Sequence, residues 1–207
     1  MKERLAGGKL ILDSPAEAVV RLRISNPERR NALDHEILDA IAETLPRLDR
    51  GIANRCLLIT GAPPVFSAGY DLAAISSETF ERDAEALVAH PFHAAMEALS
   101  SHPWPTVAAI NGHCIGGGLE LAVTCDIRIA AAGAQLGMPP VKLGLVYSHT
   151  GLRKFINTIG LARTKELFLT GRNLEAERAA EIGLVHEVVA AERLEEISTG
   201  LAAEIAG

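Results

Sequence analysis

Two short stretches of this chain carry residue types suited to chemistry. One is Asn111-Gly112-His113-Cys114-Ile115-Gly116-Gly117-Gly118-Leu119-Glu120-Leu121-Ala122, and the other is Phe66-Ser67-Ala68-Gly69-Tyr70-Asp71. Three successive glycines ahead of a helix let a ligand come close to the backbone. The first amides of a helix have no intrahelical acceptor, and the helix dipole favours negative charge beside them. Glu120 follows Gly117 by three residues and projects from the same helical face. An oxyanion-binding amide and a carboxylate base therefore fall side by side, which suits stabilising a negative oxygen while moving a proton. The residues alone leave a plainer reading equally open, in which the glycines only allow close helix packing. The glycines lack dinucleotide-binding spacing, no Lys-Ser or Lys-Thr follows them, and no serine sits in a nucleophile elbow.

The elements that must position these stretches alternate. Val19-Val20-Arg21-Leu22-Arg23-Ile24 reads as a strand ended by Asn26-Pro27, and Leu33, Ile37, Leu38, Ile41, Ala42 and Leu45 fall on one helical face. Pro46 is expected to stop or kink that helix. Apolar runs at 56–60, 106–110 and 127–130 read as buried strands, and 185–189 as a short one. Helices are expected at 82–99, from the glycines through Val123, at 150–159, 162–169 and 175–182, and in the terminal segment. Short buried strands alternating with helices predict an α/β fold with parallel strands.

The bulk composition bounds the function. The chain has 207 residues, 48% of them hydrophobic and 22% charged, enough for one globular domain with a core. A formal charge of −6 without a basic stripe argues against nucleic-acid binding, while local amides can still hold an anionic ligand. Cys56, Cys114 and Cys125 lie in or beside apolar runs without metal spacing and read as buried thiols of a reducing compartment. No apolar run nears the roughly 18 residues of a membrane helix, and no signal-peptide core is evident, so a cytoplasmic protein with no membrane partner is expected.

Together the two stretches resemble the crotonase (enoyl-CoA hydratase/isomerase) superfamily. The resemblance spans about residues 21–189 and includes Asn31-Ala32-Leu33, the Ser-Ala-Gly-Tyr-Asp loop, the triple glycine, Cys125-Asp126-Ile127-Arg128, Leu169-Thr170-Gly171 and Ala179-Ala180-Glu181-Ile182-Gly183-Leu184-Val185. It implies an α/β spiral of ββα units with short parallel strands and peripheral helices. It implies a core domain over 1–190, and at 191–207 the start of a C-terminal helical segment that runs further in the family and is truncated here. It implies an acyl-CoA substrate whose thioester carbonyl sits between the backbone amides of Tyr70 and Gly117, so that an enolate is stabilised. Ala68, Tyr70, Asp71, Leu72 and Gly117 would line the coenzyme A and thioester channel, and Glu120 would be the catalytic carboxylate. No metal or nicotinamide is implied, coenzyme A being part of the substrate, and a homotrimer or dimer of trimers is expected.

The pattern breaks at one place. Family hydratases use two glutamates; the first matches Glu120, and the second falls on Pro140, which cannot transfer a proton. The stretch Gly144-Leu145-Val146-Tyr147 resembles the methylmalonyl-CoA decarboxylase branch, which has a tyrosine matching Tyr147, one retained glutamate, and histidine in place of Tyr70. Decarboxylation by way of Tyr147 is therefore one alternative, and a catalytically weak binding or assembly subunit is another. Tyr147 also suits a half-buried packing role, and His149, His90 and His93 suit a solvated surface. RNA binding, which some relatives show through a lysine-rich helix, is disfavoured because 34–45 contains no lysine or arginine.

Overall fold

The computed structural model describes residues 2–48, 54–71 and 91–207. Its centre is a seven-stranded sheet of β1 (Lys2–Leu5), β2 (Leu10–Ala16), β3 (Val19–Ile24), β4 (Cys56–Gly61), β5 (Thr106–Ile110), β7 (Ile127–Ala131) and β10 (Glu187–Val189), in that spatial order. β1, β2 and β3 pair antiparallel, and β3 through β10 pair parallel. A three-stranded sheet of β6 (Cys114–Ile115), β8 (Gln135–Gly137) and β9 (Asn173–Glu175) lies apart from it.

Every residue of β4 and β5 is buried, because both faces of the sheet are covered. Leu57, Ile59, Ala108, Ile110 and Ala130 face a core shared with helix α1 (His35–Leu48), which presents Ile37, Leu38, Ile41 and Leu45. Cys56, Leu58, Val107, Ala109 and Ile129 face the opposite way, onto Leu194, Ala202 and Ala206 of the last helix, α6 (Leu194–Ala206). Period-two alternation therefore feeds two cores from one apolar run. At about 1.5–3 kcal/mol per buried large aliphatic side chain, the two cores are the main source of stability.

The remaining helices are α2 (His93–Ser100), α3 (Gly117–Thr124), α4 (His149–Thr170) and α5 (Ala176–Glu181). Within α4, Gly160 takes φ 75° and ψ 164°, which divides the element where the sequence predicts two helices. Pro46 does not stop α1, which runs on to Leu48. Asp34 opens that helix, its carboxylate accepting from the Ile37 amide at 2.9 Å. β1 and β2 were not expected: β1 is a charged edge, Lys-Glu-Arg-Leu, and β2 mixes Asp, Ser and Pro into its second half. The helix expected over 82–99 is seen from residue 93, its first part lying outside the described residues.

One buried ion fixes the exit of α3. Arg128 is 5% exposed, and its guanidinium donates to Leu184 O at 2.8 Å and to the Cys125 carbonyl just past the end of α3. A helix end leaves carbonyls without intrahelical donors, and this side chain serves them. Arg128→Met removes the donors and leaves buried carbonyls unpaired. It is expected to lower stability by about 3 kcal/mol, read as a shifted urea midpoint at unchanged slope. A change below about 0.5 kcal/mol would mean that solvent satisfies those carbonyls instead.

Candidate active site

The two stretches singled out in the sequence leave the carboxyl ends of neighbouring parallel strands. The loop 62–71 follows β4, and 111–116 follows β5, the usual place for a site in such a sheet. Backbone bonds lace them together: Phe66 N donates to His113 O at 3.0 Å, and Ile115 N to Ser67 O at 3.0 Å. From the other side, Leu33 N donates to Gly69 O at 2.7 Å and Asp71 N to Leu33 O at 3.0 Å. The fully buried Asn31 amide donates to Ala62 O at 2.7 Å and Val65 O at 2.8 Å. The Ser-Ala-Gly-Tyr-Asp loop is thus held between segment 31–33 and segment 113–115.

Glycine is required at these contacts by space. A Cβ on Gly69 would lie 2.8 Å from Ile115 O and 3.2 Å from Gly117 N, and one on Gly118 would meet Ser67 Cβ at 2.6 Å. Close packing, the plainer reading of the triple glycine, is present at Gly118. The Tyr70 and Gly117 amides, brought together here, donate to no acceptor among the described residues.

Ala68, Gly69, Tyr70, Gly116, Gly117 and Glu120 line one cavity of about 1170 Å³. Phe92, Met96, Leu143 and Leu145 give it apolar wall, and Pro140, Tyr147 and His149 also line it. Asp71 adjoins this wall through its neighbour Tyr70, and Leu72 lies outside the described residues. Of the three histidines set aside as surface, His149 and His93 line the cavity, His93 half-exposed beside Glu97, 3.8 Å away, while His90 lies outside the described residues. No group of three or more His, Cys, Asp or Glu that could hold a metal occurs among the described residues.

Glu120 is 3% exposed on a helix whose residues 117–123 are all buried. One of its oxygens, Oε2, accepts a hydrogen bond from the Tyr147 hydroxyl; the other, Oε1, lies 3.7 Å from the Lys154 ammonium. Burial pushes the carboxyl up from its ordinary value, and the Tyr147 hydrogen bond and Lys154 charge pull it back. Burial likewise pushes the Tyr147 phenol well up, with Tyr70 and Glu120 adding to the effect. The Tyr70 ring packs edge-on against Phe92 at 4.7 Å, its buried hydroxyl beside Tyr147 without a well-formed hydrogen bond among the described residues. Tyr147 also packs edge-on against Phe168 at 5.2 Å, so the packing role and the site position coincide.

Sequence reasoning missed three members of this cluster. Lys154 and Gly151 come from α4, and Thr124 ends α3. The available signal was modest: Gly151, Phe155 and Ile159 form the buried stripe of α4, and Lys154 sits on its edge, a helical turn from Gly151. His149 is exposed at the start of the same helix.

The sequence model of the family described as Enoyl-CoA hydratase/isomerase matches residues 15–207. A probable enoyl-CoA hydratase of Mycobacterium leprae is 36% identical over 173 residues, covering 84% of this chain and 66% of its own length. The human mitochondrial enoyl-CoA hydratase domain-containing protein 2 is 34% identical, covering 89% of this chain and 64% of its own length. The chain therefore spans slightly less than two thirds of these curated relatives. Among solved structures, an enoyl-CoA hydratase of Bacillus anthracis superposes with TM-score 0.88 at 33% identity, over 96% of this chain and 76% of that one. A monofunctional enoyl-CoA isomerase of M. smegmatis gives 0.81 at 31%, over 96% and 85%.

Gly151 offers a direct check on the Glu120 cluster. An added Cβ would stand 2.6 Å from the Tyr147 ring and 2.8 Å from Glu120 Oε2. Gly151→Ala is expected to cost about 1–3 kcal/mol by overpacking and to displace the Tyr147 ring. Unfolding midpoint and the near-ultraviolet tyrosine dichroism would both register it; a variant matching the wild type in both would show that the pair is loosely held.

Proposed function

The chain belongs to the enoyl-CoA hydratase/isomerase family, and on that premise we propose that it acts on acyl-coenzyme A thioesters by stabilising a thioester enolate. The observation that carries the reading is the pair of amides, Tyr70 and Gly117, without an acceptor among the described residues, beside one buried carboxylate in a partly apolar cavity. The thioester oxygen accepts from both amides, which draws the charge of the forming enolate onto them; each such donor is worth about 10²–10³ in rate. Glu120 is the base that takes the proton from the carbon next to the thioester.

The reaction is argued from Pro140, which lines the cavity and has no proton to give or take. Adding water across a double bond calls for a base on the water and an acid on the carbon. Moving a double bond calls for one group only. Glu120 removes a proton from C2 of a 3-enoyl thioester, the electrons spread into a dienolate held by the two amides, and the same carboxyl returns the proton to C4. Double-bond isomerisation is therefore the favoured reaction, and Phe92, Met96, Leu143 and Leu145 suit the acyl chain. Loss of carbon dioxide from a malonyl-type thioester is the second reading, favoured by the same proline and by Tyr147 in the cavity; it makes the enolate without a base.

A 3-enoyl-CoA, crotonyl-CoA and methylmalonyl-CoA offered separately, with products read by mass spectrometry, distinguish these. Conversion of the first is expected, with slow hydration of the second. Preferred conversion of methylmalonyl-CoA would turn the assignment to decarboxylation. Glu120→Gln should lower isomerisation by about 10²–10⁴ while coenzyme A binding by calorimetry persists; wild-type turnover in that variant would remove Glu120 from the mechanism. Pro140→Glu should raise hydration of crotonyl-CoA, and no increase would mean that position 140 does not face the reacting carbon.

A further inference from the structure

We propose that Lys154 is a positioning residue that keeps Glu120 ionised and leaves Oε1 as its working oxygen, an inference that rests on the reading of Glu120 as the base. Glu120 Oε2 is taken by the Tyr147 hydroxyl, and Oε1 faces the Lys154 ammonium at 3.7 Å, longer than a hydrogen bond. The Lys154 ammonium can only donate, so a proton on Oε1 would point at another donor, and its charge favours the carboxylate whichever way the Tyr147 hydroxyl turns. The ammonium stands close enough to stabilise the charge and far enough to leave an Oε1 lone pair for the substrate proton.

The ammonium is held by a device within the fold. Its Nζ donates to Thr124 Oγ1 at 2.8 Å, and Thr124 lies on the same helix as Glu120. The threonine hydroxyl has one proton, which faces Glu120 O at 2.8 Å and Met96 Sδ at 3.6 Å, so toward Lys154 it acts as acceptor. Lys154 is thereby tethered to α3 one turn beyond the carboxylate it serves. Its side chain is 23% exposed, and burial lowers its own affinity for a proton while Glu120 raises it.

Among the described residues, the groups facing Glu120 are Tyr147 and Lys154 by contact, with Tyr70 and His93 further out. Both phenols are pushed up by burial and stay neutral at working pH. Cys125 beside Lys154 is pushed up to about 12 and stays neutral as well. The working form is thus Glu120 deprotonated with Lys154 charged. Activity should rise with pH through the Glu120 titration.

The test is read first without any substrate. In protein labelled with ¹³C-carboxyl glutamate, the Glu120 signal is assigned by its loss in Glu120→Gln and titrated. Lys154→Met should move its midpoint up by about 1–3 pH units, and Lys154→Arg should restore it. In kinetics on a converted thioester, the acid limb of kcat/KM should move up equally in Lys154→Met. Thr124→Val, which leaves the lysine but removes its acceptor, should move the midpoint the same way by less, and it serves if Lys154→Met does not fold. An unmoved Glu120 midpoint in the folded lysine variant, or in Thr124→Val where that variant is unfolded, overturns the proposal. If no thioester is turned over while the midpoint moves as expected, the positioning role stands and the proposed reaction is what fails.

Discussion

A carboxylate on a helix buried from its first residue to its seventh is the constraint from which the rest of this site follows. Glu120 would stay protonated on such a helix without help, since an uncompensated buried charge is costly. Its two oxygens are met by a phenol from the loop before α4 and an ammonium from α4 itself. α4 can come so close because Gly151 stands opposite Glu120, where a methyl group would collide with both partners. The outgoing end of α3 is fastened by Arg128, and its incoming end begins at the glycines packed on the 62–71 loop. Supporting one charge thus determines a loop, a helix contact and two glycine positions.

Pro140 lies in the wall of the same cavity. β8 brings it there: Gly137 O accepts from Gly116 N at 2.8 Å, and the turn Pro140–Leu143 follows three residues on. A glutamate at that position would add a carboxylate to the wall that Glu120 also lines. With the proline there, Glu120 is the buried carboxylate of the lining, Glu97 being exposed.

Much of this arrangement was legible in the residues, for physical reasons. The apolar runs of β4, β5 and β7 stood out because both sheet faces are covered, and α3 because glycines precede an apolar stretch with one carboxylate. The division of α4 was legible because Gly160 interrupts the pattern there. β6, β8 and β9 were not, being two or three residues long and defined by pairing rather than by pattern. Lys154 and Thr124 escaped for a related reason: their contact joins elements 30 residues apart, and no local periodicity encodes it. Tyr147 was visible as a candidate, but its bond to Glu120 was not.

Arg128 has one more consequence. It donates to Leu184 O, 56 residues further along the chain, and the Arg128 amide itself donates to His186 Nδ1 at 3.2 Å. The helix bearing Glu120 is therefore not secured until the segment before β10 has docked. A nascent chain that has emerged only through residue 180 would hold both amide-bearing loops and yet lack this fastening. Such long-range closure slows folding, because loop entropy is spent before the contacts form. It also ties the fastening of the Glu120 helix to near-completion of the sheet, so that a ribosome-bound intermediate would hold the cleft with that helix still unbraced at its outgoing end.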